Sequence, residues 1–569
     1  MRCEVSWIVG TIGGGASGRD LKKHCPQEPL VCIERDGCAV YAGGNTRTCR
    51  AGKLSSGEDY IVLGAPAFVE GSVYLPLTES ALREILPSED TLRQLDGHFL
   101  ICIIGPDCTR AYSDPLGKRN LFIWQQGLEI YFTSSLPLLK AIRRPELDWR
   151  ALGAYWHTMF PPSNDRYAPT DRTYYRDVQT LGTGGKAVLG SAIKVETRIF
   201  QPAKIKRDIY SLVRSFCLLP ASEPGRVAIS LSGGMDIRPL LAVYLKAGVP
   251  FSAIHYGNAD TCDFRIARQI CAKFGIPFRH ISYESAEGSD PWAQAVEFKR
   301  RWGITAPPAN APYLGYYRDV AQDCETYVSG YFGELFRFRF FVAHLASVFK
   351  GRRIKASDLS AYLYRVPARI FMPEINRELH EGYQEALQRA FGQMPAPGTL
   401  SNPHWFNLFL TRYSPFTVNM PALSELDSIL VDHMPWLQSA VIGQHWNLSL
   451  PFQLAEGVHR KLIKREFPAL EHFPLALAEV QAPYFYRQYM LKVRMWRHYR
   501  SHPLTRESRA DRFLVLNKQN IIDLFDSRAV REFEAYDRVA LSASLNAYYR
   551  GDPRQRDTLM CWLAVELGR

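Results

Sequence analysis

The chain has 569 residues and a mass of 64.7 kDa, more than one hydrophobic core accommodates, so two or three domains are expected. Hydrophobic residues make up 46% and charged residues 22%, which excludes a mostly disordered chain, a collagen-like one and a coiled-coil rod. The net charge of +12 favours acidic partners such as nucleotides, acidic peptides, nucleic acid or anionic surfaces, without choosing among them.

In chain order, strands are predicted over residues 5–10, 60–63, 99–104, 121–124 and 130–133, with helical periodicity over 78–85 and 135–142. The chain divides near residue 205, giving domains 1–205 and 206–569. Beyond it, strands at 226–231, 251–256 and 278–282 alternate with helices at 237–247 and 263–274, an order that predicts a doubly wound parallel sheet. From about residue 318 the pattern is mainly helical, broken by prolines at Pro367, Pro395, Pro421 and Pro474.

No stretch approaches the roughly eighteen apolar residues of a membrane helix. The N-terminal stretch lacks the apolar core and cleavage site of a secretory signal, so a cytoplasmic protein is expected. The twelve cysteines contain no Cys-x-x-Cys pair and read as reduced thiols rather than a zinc ribbon.

The chemical centre is Ile229-Ser230-Leu231-Ser232-Gly233-Gly234-Met235-Asp236-Ile237-Arg238. A strand ends, two glycines allow close backbone approach, and a helix begins, which is the arrangement of an anion cradle. Leu231, Ser232, Gly233, Gly234, Met235 and Asp236 form the candidate phosphate loop, with Asp236 placed to hold a phosphate-bound Mg²⁺.

Ser-Gly-Gly-Met-Asp resembles the pyrophosphate loop of ATP pyrophosphatases, and the surrounding chain resembles the asparagine synthetase superfamily. Asp263 and Ala267 repeat that family's Asp-x-x-x-Ala spacing. Upstream, Leu95-Asp96-Gly97-His98-Phe99, Ser113-Asp114-Pro115-Leu116-Gly117-Lys118, Thr133-Ser134-Ser135-Leu136 and Leu181-Gly182-Thr183-Gly184-Gly185 resemble its glutaminase-like domain. The resemblance implies an N-terminal Ntn-type αββα sandwich followed by an ATP-pyrophosphatase domain with a helical C-terminal part. It also implies ATP and Mg²⁺ as cofactors, attack of a carboxylate on the α-phosphorus, release of pyrophosphate, and capture of the acyl-adenylate by an amine.

Departures from the family narrow the reading. Arg2 follows Met1, Cys3 lacks the free α-amine of an N-terminal nucleophile, and the family's glutamine-binding segments are not evident. The N-terminal domain is therefore expected to be catalytically inactive. Ile237 replaces the loop's second hydroxyl, and Arg238 offers a compensating contact to phosphate or a solvated charge.

Tyr327-Val328-Ser329-Gly330-Tyr331-Phe332-Gly333-Glu334-Leu335-Phe336 resembles the family's second loop. Without a gap, Glu334 takes the place of the second metal carboxylate and Tyr331 that of a residue taking a proton from the attacking amine, as in β-lactam synthetases. A one-residue gap loses the metal carboxylate, and the alternative for Tyr331 is a packed aromatic beside Phe332 and Phe336. Gly330 completes the nucleotide-binding set. The family's C-terminal lysine has no counterpart in Gln481-Ala482-Pro483-Tyr484-Phe485-Tyr486-Arg487, leaving Lys461, Lys464 or Arg487 to replace it.

Basic residues interleave with aromatics over 337–355 and 487–512. A helical face with snorkelling cations is the stronger reading there, ahead of nucleic-acid binding.

Three functional readings follow. The first is an amide ligase working without glutamine on an acidic peptide or other carboxylate, with a partner protein to deliver it, as in lasso-peptide macrolactam cyclases. The second is amidation of sugar carboxylates in exopolysaccharide synthesis. The third is an inactive nucleotide-binding scaffold.

Overall fold

The computed structural model describes residues 6–569 apart from 14–16, 36, 161–166, 202–205, 223–224, 289, 338–351, 367, 416, 418–425, 478–479 and 486–508. Its first part contains strands β1 (Trp7–Ile12), β2 (Val31–Arg35), β3 (Cys38–Gly43), β4 (Cys49–Lys53), β5 (Asp59–Glu70), β6 (Val73–Pro76), β7 (Leu95–Ile104), β8 (Thr109–Ser113), β9 (Phe122–Gln126), β10 (Glu129–Thr133), β11 (Val178–Thr180), β12 (Lys186–Leu189) and β13 (Ile193–Glu196). They form two antiparallel sheets, β11-β9-β10-β1-β3-β2 and β13-β12-β8-β7-β5-β4, with β6 added on β5.

Side-chain alternation explains the layering. Ile8, Val40, Ile123 and Phe132 of the first sheet meet Ile61, Leu63 and Leu100 of the second in one core. Their strand neighbours face outward: Trp7, Val9 and Tyr41 pack under helices that include Leu136–Arg143 and Trp149–Met159. On the other side Tyr60, Val62 and Ile101 pack under the helix Glu79–Ile85. Both sheets are thus covered on both faces.

The second part is a five-stranded parallel sheet. Strands β14 (Val227–Ser230), β15 (Ser252–Tyr256), β16 (Phe278–Ile281), β17 (Thr326–Val328) and β18 (Val431–His433) lie in the order β16-β15-β14-β17-β18. The parallel sheet expected from the alternating pattern is present, completed by β17 and β18, which at three residues each carry too little periodicity to read. The chain winds outward from β14 in one direction and then returns to add β17 on its other side. The gap between the carboxyl ends of β14 and β17 is therefore a topological switch point, where open α/β sheets bind ligands. A short hairpin, β19 (Leu475–Leu477) and β20 (Val480–Ala482), packs beside it.

The boundary near residue 205 falls at 202–205, outside the described residues. It divides the sequence more cleanly than it divides the cores. Phe513, Ile521, Leu541, Leu559 and Trp562 share a hydrophobic cluster with Trp7, Val9 and Trp156, so the end of the chain packs on the first part. Helix Pro373–Gly392 also crosses helix Trp149–Met159 closely: a Cβ on Gly153 would fall 2.0 Å from the Leu379 carbonyl oxygen, and one on Gly382 would fall 1.9 Å from that of Arg150.

The segments resembling the glutaminase domain lie on the seam between the two parts. The Asp96 carboxylate accepts from the Ser439 and Ala440 amides at 3.0 and 2.9 Å and from the Tyr74 hydroxyl at 2.7 Å. Lys118 donates to the Leu437 carbonyl at 2.6 Å. His98 Nε2 lies 2.8 Å from Asp427 Oδ1, and Arg119 lies 3.5 Å from Asp427 Oδ2, with both Arg119 and Asp427 fully buried.

All eleven described cysteines are free thiols, as the spacing predicts, and Cys3 lies outside the described residues. No described helix is long and apolar enough to cross a membrane.

Candidate active site

The Ser232–Asp236 loop leaves β14 at the switch point, and the turn Gly330–Arg337 leaves β17 beside it. The two touch. A Cβ on Gly330 would fall 2.7 Å from the Ile237 nitrogen, and one on Gly333 would fall 2.6 Å from the Asp236 Cβ. Only a residue without a side chain permits this approach at either position. Structure therefore brings together the two segments that the sequence offers 94 residues apart (236 to 330).

Several contacts hold the loop from below. Asp263, early in helix Cys262–Phe274, accepts from the Gly233 amide at 2.8 Å, and burial raises its carboxyl pKa. Ser232 Oγ accepts from the Gly234 amide at 3.1 Å, closing a local side-chain turn. His255 Nδ1 lies 2.9 Å from the Leu231 carbonyl. Met235 and Ile237 are buried in the core.

Arg238 departs from its expected role. It is fully buried, and its guanidinium donates to the carbonyls of Gly233, Phe473 and Pro474 at 2.9, 2.9 and 2.6 Å. Desolvation lowers its pKa to about 10. It straps the loop to the segment entering β19, which replaces both the phosphate contact and the solvated charge weighed for it. A helix-start arginine followed by Pro239 is turned inward because the three carbonyls at the loop base need donors.

Asp236 lies at the centre of a charged cluster. Its Oδ2 is 2.5 Å from Arg337 Nη2, and its Oδ1 is 3.4 Å from Nε2 of the fully buried His459. Its backbone carbonyl accepts from Trp436 Nε1 at 2.8 Å. Arg337 also lies 3.4 Å from Glu456, which pairs with Arg460 at 2.7 Å. Trp436 stacks on His459 at 4.4 Å, and Phe336 packs on both Trp436 and His445. Burial lowers the pKa of His459, which favours neutral imidazole beside Asp236.

Two of the four described non-glycine residues with positive φ, Phe332 at 68° and Glu456 at 60°, flank Arg337 in this cluster. Such conformations cost about 1–3 kcal/mol each and gather where surrounding structure enforces them, often at functional sites.

Tyr331 packs edge-on against Phe332 at 5.2 Å, as the packed-aromatic alternative expects, yet it remains 41% exposed. Glu334 is half-buried on the turn with Arg337. The donor set at Asp236 does not match the expected magnesium site, because a guanidinium and an imidazole already face the carboxylate. Among the described residues no group of three or more His, Cys, Asp or Glu is placed to hold a metal.

Lys461 and Lys464 are exposed on helix Gly457–Glu466. At 100° per residue they lie about 160° and 140° around the helix from His459, which faces Asp236. The Lys461 ammonium instead sits 5.1 Å over the Tyr210 ring. Neither replaces the missing lysine, and Arg487 lies outside the described residues.

Arg337 is the main residue missed. It begins the 337–355 basic stretch, most of which is outside the described residues, and only folding turns it toward Asp236. In the 487–512 stretch, Arg509 packs over the Tyr283 ring at 3.9 Å and Arg512 pairs with Glu287 at 2.7 Å.

No protein-family model matches the chain, and no curated protein matches it. Among solved structures, an allosteric regulatory enzyme of purine biosynthesis aligns at 9% identity and a TM-score of 0.21, covering 49% of this chain and 75% of that one. Glutamine phosphoribosylpyrophosphate amidotransferase from B. subtilis, complexed with ADP and GMP, aligns at 10% identity and a TM-score of 0.22, covering 51% of this chain and 89% of that one. Likeness at this level carries no argument about function, so the reading rests on the residues themselves.

Proposed function

We propose that the chain is an ATP-dependent amide-forming enzyme whose nucleotide phosphates bind between the Ser232–Asp236 loop and the Gly330–Arg337 turn. The observation that carries this is the contact of these two glycine-bearing segments at the switch point, with Arg337 and Asp236 paired between them.

In this reading a substrate carboxylate oxygen attacks the α-phosphorus, and the bond to pyrophosphate breaks. An amine then attacks the acyl carbon, loses a proton, and AMP leaves. The Ser232 hydroxyl and the loop backbone beyond Gly234 bind phosphate, and Arg337 supplies the positive charge that stabilises the developing pyrophosphate. Asp236 and Glu456 hold Arg337 in place. Tyr331, exposed beside the turn, accepts a hydrogen bond from the attacking amine and passes its own hydroxyl proton to solvent as it takes the amine's, so that the phenol is regenerated. No step is assigned to a metal. The N-terminal part is proposed as a glutaminase-type sandwich without glutaminase activity, and the substrate as an acidic peptide closed on its own amine.

The test is AMP and pyrophosphate release from ATP, with product mass recorded, across acidic peptides and uronic-acid sugars. AMP release with a peptide that loses one water supports peptide cyclisation. AMP release only with sugars and ammonia moves the substrate to glycans. Undiminished release by Asp236→Asn overturns the loop assignment.

A further inference from the structure

A cavity of about 590 Å³ lies on the outer face of the second sheet, between β7, β8, β12, the segment 198–201 and the helix Ser439–His445. Its volume lies within the roughly 300–1,000 Å³ of sites that enclose small molecules. Leu95, Phe99 and Phe200 supply an apolar wall.

Charge on the remaining walls does not cancel. Glu89 binds Lys186 at 2.6 Å and Arg93 at 2.5 Å, and Arg93 also lies 3.7 Å from Asp90, which is outside the lining. Asp96, the other acid in the lining, directs its carboxylate to the Ser439 and Ala440 amides and the Tyr74 hydroxyl. Arg198 and Arg207 also line the cavity, and no carboxylate among the described residues forms an ion pair with either. Arg198 is exposed and Arg207 half-buried. A concave site with apolar walls and cations exceeding its acids selects a ligand with one acidic head and a greasy body.

We propose that this cavity is a binding site, separate from the nucleotide loop, for a small organic anion: an alkyl or aryl body against Leu95, Phe99 and Phe200, and a carboxylate or phosphate head on Arg198 and Arg207. The occupant bridges the two parts of the molecule, because Arg198 and Phe99 come from one side of the seam and Ser439 and Ala440 from the other. The helix it touches ends at His445, which packs against Phe336 next to Arg337.

Calorimetric titration of the full chain without ATP tests this, using octanoate, octyl phosphate and inorganic phosphate as probes. Saturable one-to-one binding of either alkyl anion is expected, with inorganic phosphate at least about tenfold weaker because it lacks the apolar body. Whichever alkyl probe binds more tightly identifies the head group. Arg198→Ala combined with Arg207→Ala is expected to weaken binding by about tenfold or more, with an unchanged melting temperature. Asp236→Asn is expected to leave it unchanged, which separates this site from the proposed catalytic one. The proposal is overturned if neither alkyl anion binds at about 1 mM, if inorganic phosphate binds as tightly, or if the double substitution has no effect.

Discussion

The seam between the sheets and the loop at the switch point use the same residue types to different ends. At the seam, Asp96, His98, Lys118 and Arg119 are each within 3% of full burial, and their polar groups meet main-chain groups or Asp427 across the boundary. At the switch point, Asp236 keeps a quarter of its side chain exposed, and its charge is met by the side chain of the buried Arg337. A motif whose hydrogen-bonding capacity is engaged by the fold serves cohesion. One whose charged side chains pair with each other and keep part of their surface exposed remains available for chemistry.

The sharpest way to break that contrast is Asp427→Ala, which leaves Arg119 fully buried without its ion pair and His98 without its partner. A loss of about 3–5 kcal/mol is expected in denaturant unfolding. An unmoved midpoint would deny the seam its structural role.

Asp96→Ala is expected to cost less, about 1–3 kcal/mol, by leaving two amides and the Tyr74 hydroxyl unmet. The same measurement checks it. Gly333→Ala drives a methyl into Asp236, with an expected cost of about 1–3 kcal/mol. Its larger consequence is loss of nucleotide binding, read by titration with ATP. Seam variants that stay folded should bind ATP normally.

Acid sensitivity is also set by buried groups. Desolvation lowers His433 and His445 to about 3 and His157 to about 4, so the unfolded chain binds more protons below its histidine pKa. Their stability contribution is present above about pH 6.5 and is lost as pH falls toward 3–4. Asp432 works in the opposite sense. Burial raises it to about 7, so its contribution is present at low pH and is lost as pH rises from about 4 to 7. Asp432→Asn should therefore be more stable than the parent at pH 8, with the difference narrowing toward pH 4. Melting curves across that range test it, and a constant difference would place the Asp432 effect elsewhere.

Much of the fold is legible in the sequence because local signals agree with it. Periodicity and turn residues place helix Arg238–Ala247 and β14 to within two residues. Strands β5 and β7 run longer than predicted, since β7 is buried along its whole length and shows no polar alternation to mark its ends.

What the sequence determined by itself was the glycine-rich strand-to-helix turn, the parallel sheet and the second glycine-bearing loop. These depend on backbone freedom and on apolar spacing within a few residues. Tertiary structure alone decided that Arg238 turns inward, that Arg337 and His459 face Asp236, and that Asp96 and His98 join the two parts. The reason is physical: an ion pair or a buried hydrogen bond forms where chain topology places its partners, and the distant ones, such as Asp236 for Arg337 and Ala440 for Asp96, lie 101 and 344 positions away.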